Sequence, residues 1–308
     1  MKKLIKTIAA VLAAVCILPA GGCSDGAERK SDGIRVITVN FPPYDFVRQI
    51  TGGDIIPEML LTGGQDAHSY EPTAKDIVRI NDADLFICTG GESDAWVDTI
   101  IDSLDSDVVI LKMIDCIDSP IEEEEDEEEH HDHNSDETEY DEHVWTSPEN
   151  AMTICAAIAA ELMLIDPDNY MKYADGLLAY RTELEALSDE WREAADALDK
   201  PLIFGDRFPF AYLARDYGID YFAAFAGCST ETEPSAAKMT QLIEKAREVN
   251  APYVYHIEFS TEKVASAIAE ATGAEIRLMH SCHTLSNDDI AAGETYVSIM
   301  RRNLEALR

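Results

Sequence analysis

The fold is decided by residues 167–198, which read PDNYMKYADGLLAYRTELEALSDEWREAADAL. From Tyr170 to Leu198, apolar and aromatic side chains recur at steps of three and four, which is the spacing of one face of an amphipathic helix. At about 1.5 Å per residue, the segment predicts a single helix on the order of 45 Å long, with Gly176 as its weakest point. A helix of this length divides the chain into two parts and joins them.

Both flanking regions alternate between strand and helix patterns. The first begins with the β-branched run IRVITVN at residues 34–40, and the second begins with PLIFG at residues 201–205. Such alternation indicates parallel sheets covered by helices on both faces. The sequence therefore predicts an α/β protein of two lobes, each a mostly parallel sheet flanked by helices. The predicted parts are an N-terminal lobe, one long rigid connecting helix and a C-terminal lobe, over residues 34–165, 166–199 and 200–308.

The composition is strongly acidic. The 308 residues include 60 Asp and Glu against 24 Lys and Arg, which gives a formal net charge of -36. This charge repels phosphate backbones, so nucleic acid is excluded as a partner, whereas an acidic surface favours cations. Fourteen of the acids lie in residues 122–142, EEEEDEEEHHDHNSDETEYDE, together with three histidines. This segment cannot bury apolar area, and it predicts a mobile surface loop.

The N-terminus has the pattern of an export signal. Three lysines precede an apolar run over residues 8–18, which is too short to span a bilayer as a permanent helix. Small residues then lead to Cys23, in a pattern that resembles the lipobox of bacterial lipoproteins. We therefore predict a signal peptide over residues 1–22, lipidation of Cys23 and a polar tether over residues 23–33. The predicted location is extracytoplasmic, on the membrane through the lipid; ordinary cleavage would instead leave Cys23 as a free thiol.

The remaining cysteines do not form a CxxC motif, so a thiolate zinc site or a thioredoxin-like redox centre has no support. Cys88 and Cys155 lie in apolar stretches and are predicted to be buried. Export permits disulfides. Cys228 and Cys282 lie in polar, turn-like contexts, and they are the pair that we expect if a disulfide forms.

Polar side chains follow several of the predicted strands, at the carboxyl ends where open α/β sheets bind ligands. A lone loop histidine is more often a solvated surface residue, so the prediction rests on the shared placement of these residues. Histidines combined with a carboxylate suit Zn(II), which accepts imidazole and carboxylate donors. The candidates are His68, His143, Asp206, Glu258, His280 and His283.

Three segments resemble motifs of the metal-binding lipoproteins of zinc and manganese ABC importers, the cluster A-I solute-binding proteins. GGQDAHSYEP is similar to the family's stretch around its first histidine ligand, and EHVWTSPEN is similar to the stretch around the second. TGAEIRLMH resembles the strand that ends in the fourth ligand. The resemblance covers nearly the whole mature chain and implies metal ligands at His68, His143 and His280.

The third ligand position departs from the family pattern. Alignment of FAYLARDYGI with the family's aromatic helix places Arg207 where His or Glu is usual, and a guanidinium does not bind a cation. We predict that Asp206, one residue earlier, takes this role, with Arg207 orienting it through a paired hydrogen bond. His283 and Glu258 are the alternatives.

The acidic insertion also has a counterpart in zinc-binding members of this family. Imidazoles among carboxylates bind Zn(II) weakly and raise its local concentration, so we predict an auxiliary capture loop. The alternative is that the loop only keeps the protein soluble. The predicted capture residues are His130, His131 and His133.

The resemblance implies a monomeric binding protein, not an enzyme, that captures Zn(II) with high affinity outside the cytoplasmic membrane and delivers it to an ABC permease. A manganese-binding member is one alternative, favoured if Asp206 and Glu258 both coordinate, because Mn(II) prefers carboxylate oxygens. A lipid-anchored zinc hydrolase is another, with Asp66 or Glu71 as general base. The HExxH, GxSxG and phosphate-loop motifs are absent from the sequence. Cell adhesion is a third function compatible with the sequence.

Overall fold

The computed structural model describes residues 33–65, 69–104, 107–123, 139–227, 229 and 233–308. Several sequence predictions fall outside these residues and remain predictions. They are the signal peptide, the tether up to residue 32, Cys23, Asp66, His68, His130, His131, His133 and Cys228.

Eight strands and ten α-helices alternate along the described part of the chain. The strands are β1 (Val36–Thr38), β2 (Glu58–Met59), β3 (Leu85–Cys88), β4 (Val109–Lys112), β5 (Leu202–Arg207), β6 (Tyr221–Phe225), β7 (Tyr253–His256) and β8 (Glu275–Leu278). The helices are α1 (Phe41–Thr51), α2 (Ala74–Asn81), α3 (Ala95–Ile101), α4 (Pro148–Ile165), α5 (Tyr170–Asp196), α6 (Ala211–Tyr217), α7 (Ala236–Glu248), α8 (Lys263–Thr272), α9 (Asn287–Ala292) and α10 (Tyr296–Ala306).

The strands form two parallel sheets of four, in the orders β2-β1-β3-β4 and β6-β5-β7-β8. The predicted α/β class, with two sheets flanked by helices, is confirmed. All strand pairings in both sheets are parallel, so the carboxyl ends of the strands in each sheet lie at the same edge. Ligands in open parallel sheets bind at that edge.

The two sheets share one hydrophobic core. One continuous cluster of buried residues runs from Val36 and Phe46 through Leu184 and Trp191 to Tyr296, and so includes side chains from both halves. Separate clusters cover the opposite faces, with Phe86 in that of the first sheet and Val254 in that of the second. Residues 34–308 accordingly make one compact unit.

The long helix α5 lies within this shared core. It has 27 residues, about 40 Å at the usual rise, and follows a 3-10 turn at Pro167–Asn169. Within the described residues, α4 is long and apolar enough to cross a membrane. However, its residues Ile154, Ile158 and Leu162 are fully buried against the same core, as expected of an internal helix of a globular domain.

Gly176 has a packing role that its low helix propensity does not suggest. A Cβ atom at this position would lie 1.9 Å from the backbone oxygen of Ile50, at the end of α1. Only a residue without a side chain allows the two helices to approach so closely. The predicted weak point of the long helix is therefore its contact with α1.

We predict that Gly176→Ala lowers the free energy of unfolding by about 1–3 kcal/mol, the usual cost of overpacking a core. This loss occurs although alanine favours a helix by about 1 kcal/mol over glycine. Urea denaturation measures it, with Asp175→Ala on the exposed side of α5 as the control, expected within about 0.5 kcal/mol of wild type. A Gly176→Ala protein as stable as the control would contradict the close approach of α1 and α5.

Candidate metal centre

A cavity of about 190 Å³ lies at the carboxyl edge of the second sheet. Residues that follow β5, β7 and β8 form most of its wall, and the loop after β2 closes one side. The polar and charged side chains that line the cavity include those of Gln65, His143, Asp206, Arg207, Glu258 and His283. The structure thus brings together four of the predicted candidates, Asp206, Glu258, His143 and His283.

Asp206 and Arg207 are consecutive and yet both line the cavity. Neighbouring residues of a regular strand point to opposite faces. The pairing of β5 with β6 shifts register between Phe204 and Arg207, and such an irregularity redirects side chains locally. Asp206 is oriented by backbone N–H groups: Arg207 donates to Oδ1 at 2.9 Å and Ile257 to Oδ2 at 3.3 Å.

His143 is 2% exposed and is held by the side chain of Asp141. The Oδ1 atom of Asp141 accepts the backbone N–H of His143 at 2.8 Å and lies 3.1 Å from Nδ1 of its ring. Gly227 lies against this pair, since a Cβ there would come within 2.8 Å of Asp141 Oδ2 and 3.2 Å of His143 Nδ1. An imidazole bonded to a carboxylate through one nitrogen presents the other nitrogen in a fixed direction, as metal-binding histidines do.

Burial lowers the pKa of His143. The negative charge of Asp141, its hydrogen bond to the ring and the charge of Glu142 raise this pKa by more than burial lowers it, so the net pKa lies above the ordinary value. Protons therefore compete with a metal for this ring over a wider pH range.

Glu142 corrects the predicted limits of the acidic loop. Asp141 and Glu142 were expected in a mobile surface segment, but both are buried, at 4% and 1% exposure. The N–H of Ser93 donates to Glu142 Oε1 at 2.6 Å, and its hydroxyl donates to Oε2. Burial raises the pKa of Glu142 to about 7, although the bonds from Ser93 oppose the shift. The hydrogen bonds from Ser93 to Glu142, and from His143 to Asp141, replace the hydrogen bonds to water that the two buried carboxylates lose.

The segment after His143 is tied to the C-terminal half. Trp145 donates from Nε1 to the carbonyl of Ser281 at 2.8 Å, and the hydroxyl of Tyr296 donates to the carbonyl of Trp145 at 2.7 Å. On the other side of His143, Tyr212 donates to the carbonyl of Asp141 at 2.7 Å. The position of His143 is therefore set by both halves of the chain.

His283 faces His143 across the cavity wall. Their ring centroids are 5.5 Å apart with an interplanar angle of 89°. The ring of Trp145 packs against both, at 5.4 Å from His143 and 5.1 Å from His283. Two imidazoles at this separation suit donation to a single ion after a small adjustment of either side chain.

The turn that carries His283 depends on Glu258. Cys282 has a φ of 63°, in the left-handed region, and the turn is held by the Glu258 carboxylate, which accepts the N–H and the hydroxyl of Ser281. The Ser281 oxygen then accepts the N–H of His283 at 3.1 Å. Because both Glu258 oxygens have partners in this turn, Glu258 orients His283 more directly than it could bind an ion.

His280 occupies a different place from His283. The wall that the described residues form around the cavity does not include it, and the residue is 3% exposed. Its Nδ1 accepts the N–H of Cys282 at 2.9 Å, and its backbone exchanges two hydrogen bonds with Asn303. The structure therefore places His283, the alternative candidate, beside His143, while the metal role expected of His280 remains a prediction. The two lie three residues apart, and no sequence signal gives the direction of a side chain in an unknown turn.

Cys282 is a free, buried thiol in the structure. Its expected partner Cys228 lies outside the described residues, so the conditional disulfide remains a prediction. Burial raises the pKa of Cys282 well above the ordinary value. Cys88 and Cys155 are buried and free, as predicted.

Within the described residues, no group of three or more His, Cys, Asp and Glu side chains is arranged to hold a metal ion. The cavity brings two imidazoles and Asp206 to one wall, and Gly64 and Gln65, which also line it, immediately precede the region of His68. Completion of a metal shell thus requires His68, a side-chain adjustment or a ligand from outside the chain.

Comparison with known proteins gives the family of this chain. The model of the family described as "Zinc-uptake complex component A periplasmic" matches residues 36–308. The chain belongs to this family. The resemblance of the sequence to the metal-binding proteins of zinc and manganese importers is thereby confirmed.

Two curated relatives and one solved structure illustrate the match. The high-affinity zinc uptake system protein ZnuA of Bacillus subtilis is 33% identical over 306 residues, which cover 96% of this chain and 94% of the relative. The zinc-binding lipoprotein AdcA of Streptococcus pneumoniae serotype 4 is 31% identical over 306 residues, 98% of this chain. The chain spans about 60% of the length of that relative. The crystal structure of the Zn(II)-bound ZnuA-like domain of the S. pneumoniae AdcA superposes with a TM-score of 0.71 at 28% identity, covering 89% of this chain and 97% of that one.

For this component A family member, we predict that Asp141→Asn lowers the pKa of His143 and weakens zinc binding at pH 7 by about 10–100-fold, the usual effect of losing the carboxylate behind a metal-binding imidazole. In wild type, zinc affinity should be highest above the raised pKa of His143 and fall as the pH drops through it. NMR titration of the imidazole and calorimetry measure the two effects. Asp189→Asn, on the exposed face of α5, is the control; an unchanged His143 pKa in Asp141→Asn would contradict the assigned contact.

Proposed function

We propose that this chain captures Zn(II) outside the cytoplasmic membrane and delivers it to a cognate ABC permease. The observation that carries the proposal is the pair of buried or half-buried imidazoles, His143 and His283, which face each other in the cavity with Asp141 behind the first. Membership of the component A family supports the same function.

The proposed ligands are His143, His283, Asp206 and His68. His143 and His283 supply neutral nitrogen donors and Asp206 supplies one carboxylate, a set of the kind that Zn(II) accepts in tetrahedral sites. The manganese alternative depended on coordination by both Asp206 and Glu258. Because Ser281 engages both oxygens of Glu258, the cavity offers fewer carboxylate oxygens than Mn(II) prefers, and zinc is the better-supported cargo.

We propose a solute-binding role and no catalytic one. The hydrolase alternative needed Asp66 or Glu71 as a general base next to an open metal position. Glu71 does not belong to the described wall of the cavity, and Asp66 lies outside the described residues. In this proposal the protein is a monomer held at the membrane by lipid on Cys23, so that the cavity meets zinc outside the cell and the permease at the membrane.

We propose further that the acidic segment gathers zinc near the cavity without being part of the site. Its two ends are joined in the structure: Glu123 donates its N–H to the carbonyl of Glu139, and Asp141 donates to that of Ile121, each at 2.9 Å. An isolated antiparallel bridge pairs Glu122 with Tyr140. In the chain, this stem comes before His143 and lies outside residues 124–138.

Replacement of residues 124–138 by a short Gly-Ser turn should leave the tight zinc affinity within about twofold of wild type, because the stem and Asp141 remain. The variant should lose only weak additional zinc equivalents, as expected of a His-rich tract. Titration calorimetry gives both values. A matched protein with His130, His131 and His133 changed to Gln keeps the acidic charge and should lose the same weak sites; retention of them would show that carboxylates alone bind this zinc.

His283→Ala should weaken zinc binding by more than about 100-fold, since loss of a ligand exceeds the about 10–100-fold cost of losing an outer partner. His143→Ala should have an effect of the same size. His280→Gln is the matched comparison and should cost less than about tenfold, because His280 serves the turn and not the cavity. Calorimetry with a competing chelator resolves these values, and a tight site in His283→Ala together with its loss in His280→Gln would reverse the assignment.

A further inference from the structure

One aromatic ring lies at the rim of the cavity. Phe259 follows β7 and lines the cavity, and yet this residue is 54% exposed. A side chain that meets both the cavity and the solvent lies where the two connect. Phe259 belongs to none of the three hydrophobic clusters that the described residues form, so burial in a core does not explain its position.

The ring packs on the backbone of the other half of the chain. Gly64, in the loop after β2, also lines the cavity, and a Cβ atom there would lie 2.7 Å from Cε1 and 2.9 Å from Cδ1 of Phe259. Gly64 has a φ of 78°, a conformation that glycine adopts readily. The ring can lie this close only because position 64 has no side chain. The contact therefore joins the two halves of the chain at the rim of the cavity.

The backbone around Phe259 is unusual and is anchored on both sides. Phe259 has a φ of 58° and Glu262 has one of 53°, in the left-handed region that residues with a side chain disfavour. Before the ring, both oxygens of Glu258 are bound by Ser281, and after it, Ser260 Oγ accepts the N–H of Glu262 at 3.1 Å. Left-handed residues held in this way are found at ligand clamps and switch segments.

The opposing loop is also held in place. The N–H of Thr62 donates to Gln65 Oε1 at 3.1 Å, and the N–H of Leu61 donates to the carbonyl of Val39 at 2.9 Å. Because both backbones are anchored, the simplest movement that separates the two sides is rotation of the half-exposed Phe259 ring about its side-chain bonds.

We propose that the ring of Phe259 is a gate on the cavity, which closes on Gly64 and swings away when an ion enters or leaves. This inference rests on the proposed function, since the ion that passes the gate is Zn(II). A phenyl ring has no group that donates a lone pair to a metal. His143 and His283 therefore set the zinc affinity, whereas Phe259 sets how fast zinc exchanges.

The test measures zinc association and dissociation rates of the full mature chain by stopped flow, with a fluorescent zinc indicator for association and excess EDTA for dissociation. In Phe259→Ala both rates should rise about three- to tenfold, because opening the wild-type gate exposes the roughly half of the ring that is now covered. The dissociation constant should stay within about twofold of wild type, since the gate favours neither the free nor the bound protein. Phe259→Tyr, which keeps the ring, should keep the wild-type rates.

Gly64→Ala tests the contact from the other side. Its Cβ atom displaces the ring, so zinc exchange should accelerate in the wild-type background but not in Phe259→Ala, where no ring remains. This double-mutant cycle separates the contact from the strain that alanine introduces at a positive φ. Leu178→Ala, which removes another exposed apolar side chain on α5, is the matched control and should leave both rates within about twofold of wild type.

Modification of His283 by diethyl pyrocarbonate provides a measurement without metal. Followed by mass spectrometry, it should be faster in Phe259→Ala than in wild type, because the open rim admits the reagent to the cavity that His283 lines. Tight zinc binding with unchanged exchange and unchanged modification in Phe259→Ala overturns the gate and leaves zinc capture standing. A faster dissociation alone, with a weaker affinity, also overturns it, because the ring would then stabilise the bound state. Absence of tight zinc binding in wild type overturns the proposed function, and the modification rates then decide whether the ring closes the cavity.

Discussion

His143 is buried where the two halves of the chain meet, and hydrogen bonds from both halves fix its position. Glu142, beside it, is held by Ser93 of the first half, while Trp145 bonds to Ser281 of the second. The cavity therefore does not belong to either sheet alone. Because the halves also share one hydrophobic core, the two walls of the cavity keep a defined separation.

The charges of the molecule act at two distances. The net charge of -36 attracts cations over the surface, but it is screened within about 10 Å at ordinary salt and does not choose among divalent ions. Selection is local, and there the balance differs, since imidazoles and Arg207 line the cavity with Asp206. A wall with two imidazoles and few free carboxylates favours an ion that accepts nitrogen donors.

Much of the fold could be predicted because strands and helices leave periodic traces in the sequence. The run IRVITVN contains β1 and the run PLIFG contains most of β5, one strand in each parallel sheet, and the spacing from Tyr170 to Leu198 predicted α5. The placement of Asp206 and His143 on the cavity wall also followed from the order of strands and loops, and their metal-binding role stays a prediction. The role of Gly176 did not, because it depends on the backbone of Ile50, which is 126 positions away in the chain.

The sequence by itself determined the α/β class and the acidic character of the chain, and it named several residues that line the cavity, because these depend on composition and local spacing. Only the tertiary structure decided that His283 lines the cavity and faces His143, whereas His280 is not among the described residues of the cavity wall. That choice depends on the left-handed backbone of Cys282 and on the Glu258 carboxylate that binds Ser281. The tertiary structure also decided that Asp141 and Glu142 are buried, unlike the exposed loop that the sequence predicted for them. Their partners Tyr212 and Ser93 are distant in the chain. Such distant partners set the direction of side chains in a turn, and the local sequence of the turn does not specify which partners they are.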